Sequence, residues 1–98
     1  MTARPDATPS ETDRDLVDRN VDRLLVEVVG LDSERVAAFE ENSELFGTLP
    51  EFDSMAVAQF LTALEERLGV LIEDDDVEAE DFLTYGRLIA FAERLALG

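Results

Sequence analysis

The stretch FDSMAVAQFLTALEERLG, residues 52–69, decides the fold. Val57, Phe60, Leu61, Leu64 and Leu68 recur at helical spacing and form one apolar stripe. Gln59, Thr62, Glu66 and Arg67 fall on the opposite face. Asp53 offers a carboxylate to cap the first turn, and Gly69 can end the helix in the left-handed conformation. One amphipathic helix cannot bury its stripe alone, so the rest of the chain must supply partner faces.

Two further segments do so. Val17, Val21, Leu24, Val28 and Leu31, with Leu25 beside them, predict a helix over about residues 12–29, capped by Thr12 and ended near Gly30. A last helix is expected after Thr84, packing Leu88, Ile89, Ala92 and Leu95, with Phe91 at the margin of the stripe. Gly86 near its start lowers helix propensity by about 1 kcal/mol but permits close approach of another backbone.

The connections are less regular. Val36, Phe39, Leu45, Phe46, Leu49 and Phe52 are unevenly spaced, and Gly47 and Pro50 break any long helix. A helical turn over Glu34 to Glu41 and a long structured loop closing one end of the core are predicted. Val70-Leu71-Ile72 has no second strand to pair with and reads as an extended segment across helix ends. Seven acids and no base fill Glu73 to Asp81, where a turn over Val77 to Phe82 would point those two side chains inward. Residues 1–11, with two prolines and no periodicity, read as a flexible tail before a single domain at 12–98. The expected fold is all-α: a small four-helix bundle of three main helices and one short one, with a long loop between the first two main helices.

Composition narrows the function. At 46% hydrophobic and 33% charged, the 98 residues suit one small globular domain. Twenty-four acids against eight arginines and no lysine give a net charge of −16. That field repels phosphate backbones and anionic lipid, so basic protein surfaces are the expected partners and nucleic acid is not. Without cysteine or histidine there are no disulfides, thiolate nucleophiles, imidazole bases or usual zinc ligand sets. No run of eighteen apolar residues could span a bilayer, and no basic segment precedes an apolar one at the N-terminus; the cytoplasm is the expected compartment. The run Glu73-Asp74-Asp75-Asp76 lacks the alternation and central glycine of a calcium loop, so no intrinsic metal is expected. No two carboxylates stand out as a catalytic pair, which leaves a small acidic enzyme the weakest reading.

Ser54 is the residue with the most functional content. A serine at a helix start is ordinarily a cap, but Asp53 can take that duty and leave the Ser54 hydroxyl in solvent. A phosphodiester on that oxygen would lie by unpaired N–H groups and the positive helix end. With no histidine and no Gly-x-Ser-x-Gly elbow, Ser54 is not a hydrolase nucleophile. These residues alone point to a modification site of unspecified kind, or to an unmodified acidic adaptor that docks through residues around Met55 and Ala56.

In the order Asp53-Ser54-Met55, Leu-Glu-Glu-Arg-Leu-Gly-Val at 64–70, acids after Ile72, and Phe-Leu-Thr-Tyr-Gly at 82–86, the chain resembles the acyl carrier proteins and phosphopantetheine-attachment domains over about residues 13–96. The resemblance implies that Ser54 receives 4'-phosphopantetheine from coenzyme A by a magnesium-dependent phosphopantetheinyl transferase. It further implies that Asp53 assists that transfer, that Met55 lies beside the arm, and that the arm holds an acyl or aminoacyl thioester. Implied partners are the transferase, an acyl-loading or adenylating enzyme, and a downstream acyl-transfer or condensing enzyme, served by a monomeric, non-catalytic carrier. Asp53, Met55, Ala56, Gln59, Glu65 and Glu66 are the implied partner surface. Pro50-Glu51-Phe52 stands where many members have a glycine, and Ala56-Val57-Ala58-Gln59 where many have acids. A more apolar docking face follows, with negative charge moved to Glu65-Glu66 and the 73–81 run.

Overall fold

A computed structural model describes residues 11–98. The tail expected over residues 1–11 lies outside that range except for Glu11, which opens the first helix, α1 (Glu11–Leu24). The expected cap, Thr12, falls inside this helix.

The chain continues without a break from α1 into a wider π-helical turn, Leu25–Val29, closed by Gly30 at φ 91°. The extra residue in that turn shifts the inward register by one position. Leu24 and Leu25 are therefore both buried, and Val29 rather than Val28 faces the core before Leu31. The regular spacing that predicted Val28 does not hold through the widened turn.

The short helix, α2 (Ser33–Ala37), starts where Asp32 Oδ1 accepts the Glu34 N–H at 3.2 Å, and it buries Val36. It ends sooner than expected, because the Ala38 N–H already divides between the carbonyls of Glu34 and Arg35. Beyond it the long loop is held by backbone pairing with the segment that enters the last helix. Leu45 and Phe46 N–H donate to the Leu83 and Phe82 carbonyls at 2.9 Å, Tyr85 N–H to Ser43 at 2.8 Å, and Gly86 N–H to Glu41 at 3.0 Å. A single antiparallel bridge, Glu44 to Thr84, is the β-structure among the described residues. This pairing satisfies the backbone of a segment too long to be an idle connection.

Helix α3 (Ser54–Leu68) has the expected bounds, with Asp53 as N-cap and Gly69 in the left-handed conformation at its end. Phe60 and Leu64 are fully buried. Arg67 reaches across to Glu27 at 3.1 Å and Asn20 at 3.4 Å, tying the end of α3 to the first helical segment. Leu71 is 76% exposed, so the apolar run after α3 packs only through its neighbours.

The acidic segment forms two 3-10 turns, Asp74–Asp76 and Ala79–Phe82. In each, an aspartate reaches back to the backbone before the turn: Asp76 Oδ2 accepts from Glu73 N–H at 3.1 Å, and Asp81 Oδ2 from Glu78 N–H at 3.0 Å. Some of the acids thus act as caps. Helix α4 (Tyr85–Leu97) follows, with Thr84 Oγ1 accepting the Arg87 N–H at 3.2 Å.

Helices α1, α3 and α4 and the short α2 form the expected all-α bundle. Its centre is a chain of aromatic rings: Phe60 to Phe52 at 6.1 Å, Phe52 to Phe82 at 6.2 Å, and Phe82 to Phe91 at 5.6 Å. Phe91, expected at the margin, is completely buried as the α4 end of this chain. Each ring pair adds about 0.5–1.5 kcal/mol beyond its buried area.

Candidate functional site

Ser54 is the first residue of α3 and is exposed. Asp53 Oδ1 accepts the Ala56 N–H at 2.9 Å, and the Asp53 carbonyl accepts the Val57 N–H at 2.9 Å. The cap is therefore complete without the serine hydroxyl. The N–H groups of Ser54 and Met55 precede the first intrahelical acceptor and lie at the positive end of the helix. Immediately upstream, Phe52 is buried among the core rings and fixes where the chain enters the helix. Arg35 pairs with Glu51 at 3.2 Å and ties α2 to the same approach.

Beside Ser54 is a cavity of about 180 Å³ walled by Phe46, Val57, Val77, Ala79 and Phe82. These residues come from the loop, from α3 and from the acidic segment. A second, more polar depression of about 330 Å³ follows the loop from Phe46 to Ser54. An anionic attachment at the serine would face helix-end N–H groups, while an apolar extension could rest against the aromatic wall.

Among the sequence-predicted partner residues, Met55 is 70% exposed, and Asp53, Gln59 and Glu66 are exposed as well. Met55, Gln59 and Glu66 share one face of α3 by helical spacing. Ala56 does not belong with them. It is 7% exposed and points into the core, because position 56 lies one turn before the buried Phe60. Glu65 is half-buried, and its Oε2 accepts the Ile72 N–H at 2.7 Å, which ties down the chain reversal after α3.

Two groupings were not legible from spacing. The first is the cavity wall: Val77 and Phe82 were expected to turn inward, but nothing local to Phe46 or Ala79 shows that they converge on Ser54. The second is a set of acids in the α1–α4 seam. Tyr85 OH donates to Asp22 Oδ1 at 2.5 Å. Burial pushes the Asp22 carboxyl up while the tyrosine donation pulls it down, and burial followed by the Asp22 carboxylate raises the Tyr85 phenol. Asp18 is pushed up to about 7, first by burial and then by the neighbouring Glu93. The visible signal was Asp18 and Asp22 at i and i+4, each directly following a buried valine, Val17 and Val21.

Among the described residues no grouping of acidic side chains is arranged to hold a metal ion, and no helix is long and apolar enough to cross a membrane. No family model and no curated protein matches the chain. The solution NMR structure of a holo acyl carrier protein from Nitrosomonas europaea does, at 38% sequence identity, covering 80% of this chain and 92% of that one with a TM-score of 0.68. By that identity and coverage, the chain belongs to the acyl carrier protein family.

Proposed function

We propose that Ser54 carries a 4'-phosphopantetheine arm donated by coenzyme A, and that the chain holds an acyl or related carboxylic group on it as a thioester for partner enzymes. As in its family, the chain is a non-catalytic carrier. The observation that carries the assignment to Ser54 is the division of labour at the start of α3: Asp53 completes the cap, and the serine hydroxyl is exposed and uncommitted. The residues present suit the group. Helix-end N–H groups at Ser54 and Met55 favour a phosphodiester, and the wall of Phe46, Val57 and Phe82 lies beside the attachment oxygen. When bound, the arm supplies the thiol that a cysteine-free chain lacks.

Asp53, Met55, Gln59 and Glu66 form the face we assign to partners. These are a phosphopantetheinyl transferase, a loading or adenylating enzyme, and a downstream acyl-transfer or condensing enzyme. The net charge of −16 suits partners with basic docking surfaces. The carrier works as a cytoplasmic monomer in this reading. Incubation of the full chain with coenzyme A, magnesium and a broad-specificity phosphopantetheinyl transferase adds one arm by intact mass, and none to Ser54→Ala. No addition to the wild type, or equal addition to the variant, refutes the assignment. The exposure of Met55 also suits an unmodified adaptor, which would capture its partner without coenzyme A and equally well as Ser54→Ala.

A further inference from the structure

The seam between α1 and α4 holds a group of acids that has no part in the Ser54 site. Asp18 on α1 and Glu93 on α4 border one cavity there. Asp18 Oδ1 is buried with no hydrogen-bond donor. Ionised carboxylates only accept, so this pair forms a hydrogen bond only if one member carries a proton. With both ionised, Oδ1 is a desolvated acceptor held beside like charge.

Among the described residues no basic group relieves that arrangement. The groups acting on Asp18 are acids: Glu93 from α4, and Asp22 and Asp15 along its own helix. Tyr85, also on α4, commits its hydroxyl to Asp22. From the loop, Glu41 joins Asp18, Tyr85 and Glu93 around one cavity of about 400 Å³. Among the described residues no arginine contributes to the balance at Asp18.

The seam is mechanically connected to the loop. At the start of α4, Tyr85 and Gly86 N–H groups hold the Ser43 and Glu41 carbonyls, and just before it the Phe82 carbonyl holds Phe46 N–H. Phe46 and Phe82 are both walls of the cavity beside Ser54. Loosening α4 from α1 therefore slackens the strap that shapes that cavity.

We propose that Asp18 and Glu93 form a proton-operated latch between α1 and α4, closed while the pair shares one proton and released when that proton leaves. The direction follows from linkage. The Asp18 carboxyl is raised from 3.8 to about 7, so the folded chain holds this proton more tightly than the unfolded chain. Its contribution is fully present in acid and is lost as pH rises from about 4 to about 7. One linked proton changes the unfolding constant by up to about tenfold per pH unit, and partial exposure of Asp18 keeps the effect below that limit. The latch needs no arm on Ser54 and stands or falls separately from the carrier assignment.

Asparagine at position 18 supplies an N–H donor to Glu93 at every pH, which is a permanently closed latch. The test uses the full unmodified chain in urea unfolding from pH 5 to 8.5. The wild-type unfolding constant should rise between pH 5 and 7 more steeply than that of Asp18→Asn, with an accumulated difference of about tenfold or more. At pH 8 Asp18→Asn should be the more stable protein, with slower intrinsic-rate-corrected amide exchange at Tyr85, Gly86 and Phe46. Carboxyl NMR titration of the wild type, which needs no variant to fold, should place Asp18 near neutrality. An Asp18 midpoint near 4, or an undiminished slope in Asp18→Asn, overturns the latch.

Discussion

Replacing Gly86 with alanine sets two effects of opposite sign against each other. Gly86 lies in the first turn of α4 and is not among the glycines with positive φ, so the backbone accepts an alanine without strain. Intrinsic helix propensity alone would make Gly86→Ala more stable by about 1 kcal/mol. The added Cβ, however, would stand 2.9 Å from the Glu41 carbonyl oxygen and 3.1 Å from its Cα. Both are backbone atoms, so no rotamer change can relieve the overlap. The loop must move away, and the Gly86 to Glu41 and Tyr85 to Ser43 hydrogen bonds, now 3.0 and 2.8 Å, lengthen with it. Overpacking typically costs about 1–3 kcal/mol, and weakening two bonds adds about 1 kcal/mol. The net is a loss of about 1–3 kcal/mol, lowering Tm by roughly 4–24 °C for a domain of this size. Urea unfolding measures the sum, and faster amide exchange at Leu45, Phe46 and Tyr85 locates it in the strap. A variant as stable as the wild type or more so would show that close approach at Glu41 does not govern this position.

Three other substitutions separate the remaining contributions. Leu64→Ala removes a fully buried side chain from the face of α3 and should destabilise by about 2–5 kcal/mol in denaturant titration, while its folded fraction still accepts an arm at Ser54. Asp53→Ala should lose the cap at Ala56 and about 1 kcal/mol, whereas Asp53→Asn keeps an acceptor oxygen and stays within a few tenths of wild type. Slowed arm transfer to Asp53→Asn, followed by mass spectrometry, would then report the carboxylate charge and not the fold. Tyr85→Phe removes the donor to Asp22 and should cost about 1–2 kcal/mol at neutral pH. Because that hydrogen bond favours the ionised carboxylate, the deficit should shrink as pH falls and Asp22 protonates; a deficit that grows in acid would contradict it.

Helix α3 was legible because its signals are local: a carboxylate cap, a stripe at helical spacing, and a glycine stop lie within one short segment. The same is true of the boundary at Thr84 and of the end of the first helical segment at Gly30. What failed was register. Spacing assumes 3.6 residues per turn, and the π-helical turn at Leu25–Val29 breaks that assumption, moving burial from Val28 to Val29. Phe91 was misplaced for a related reason. A helical stripe has a computable centre, but which edge of it is deepest depends on Phe82, contributed by a separate turn.

The functional site divides along the same line. That Ser54 would be exposed and Asp53 would cap could be read from two adjacent residues and the family pattern around them. Spacing said less about burial where one position has two faces to choose between. Ala56 stands between the exposed Met55 and the intermediate Val57, and only the helical phase relative to Phe60 shows that its methyl belongs to the core. Glu65 and Glu66 are identical in sequence terms, yet one is bound to Ile72 N–H and the other is free to face a partner. Asp18 is the extreme case. Among 24 acids its only local marks are Asp22 one turn on and the apolar Val17 before it, and its carboxyl is raised first by burial in the seam and then by Glu93, which α4 sets against it. In so acidic a chain, charge composition predicts repulsion spread evenly over the surface. The fold instead concentrates part of it in one seam, where a single proton can offset it.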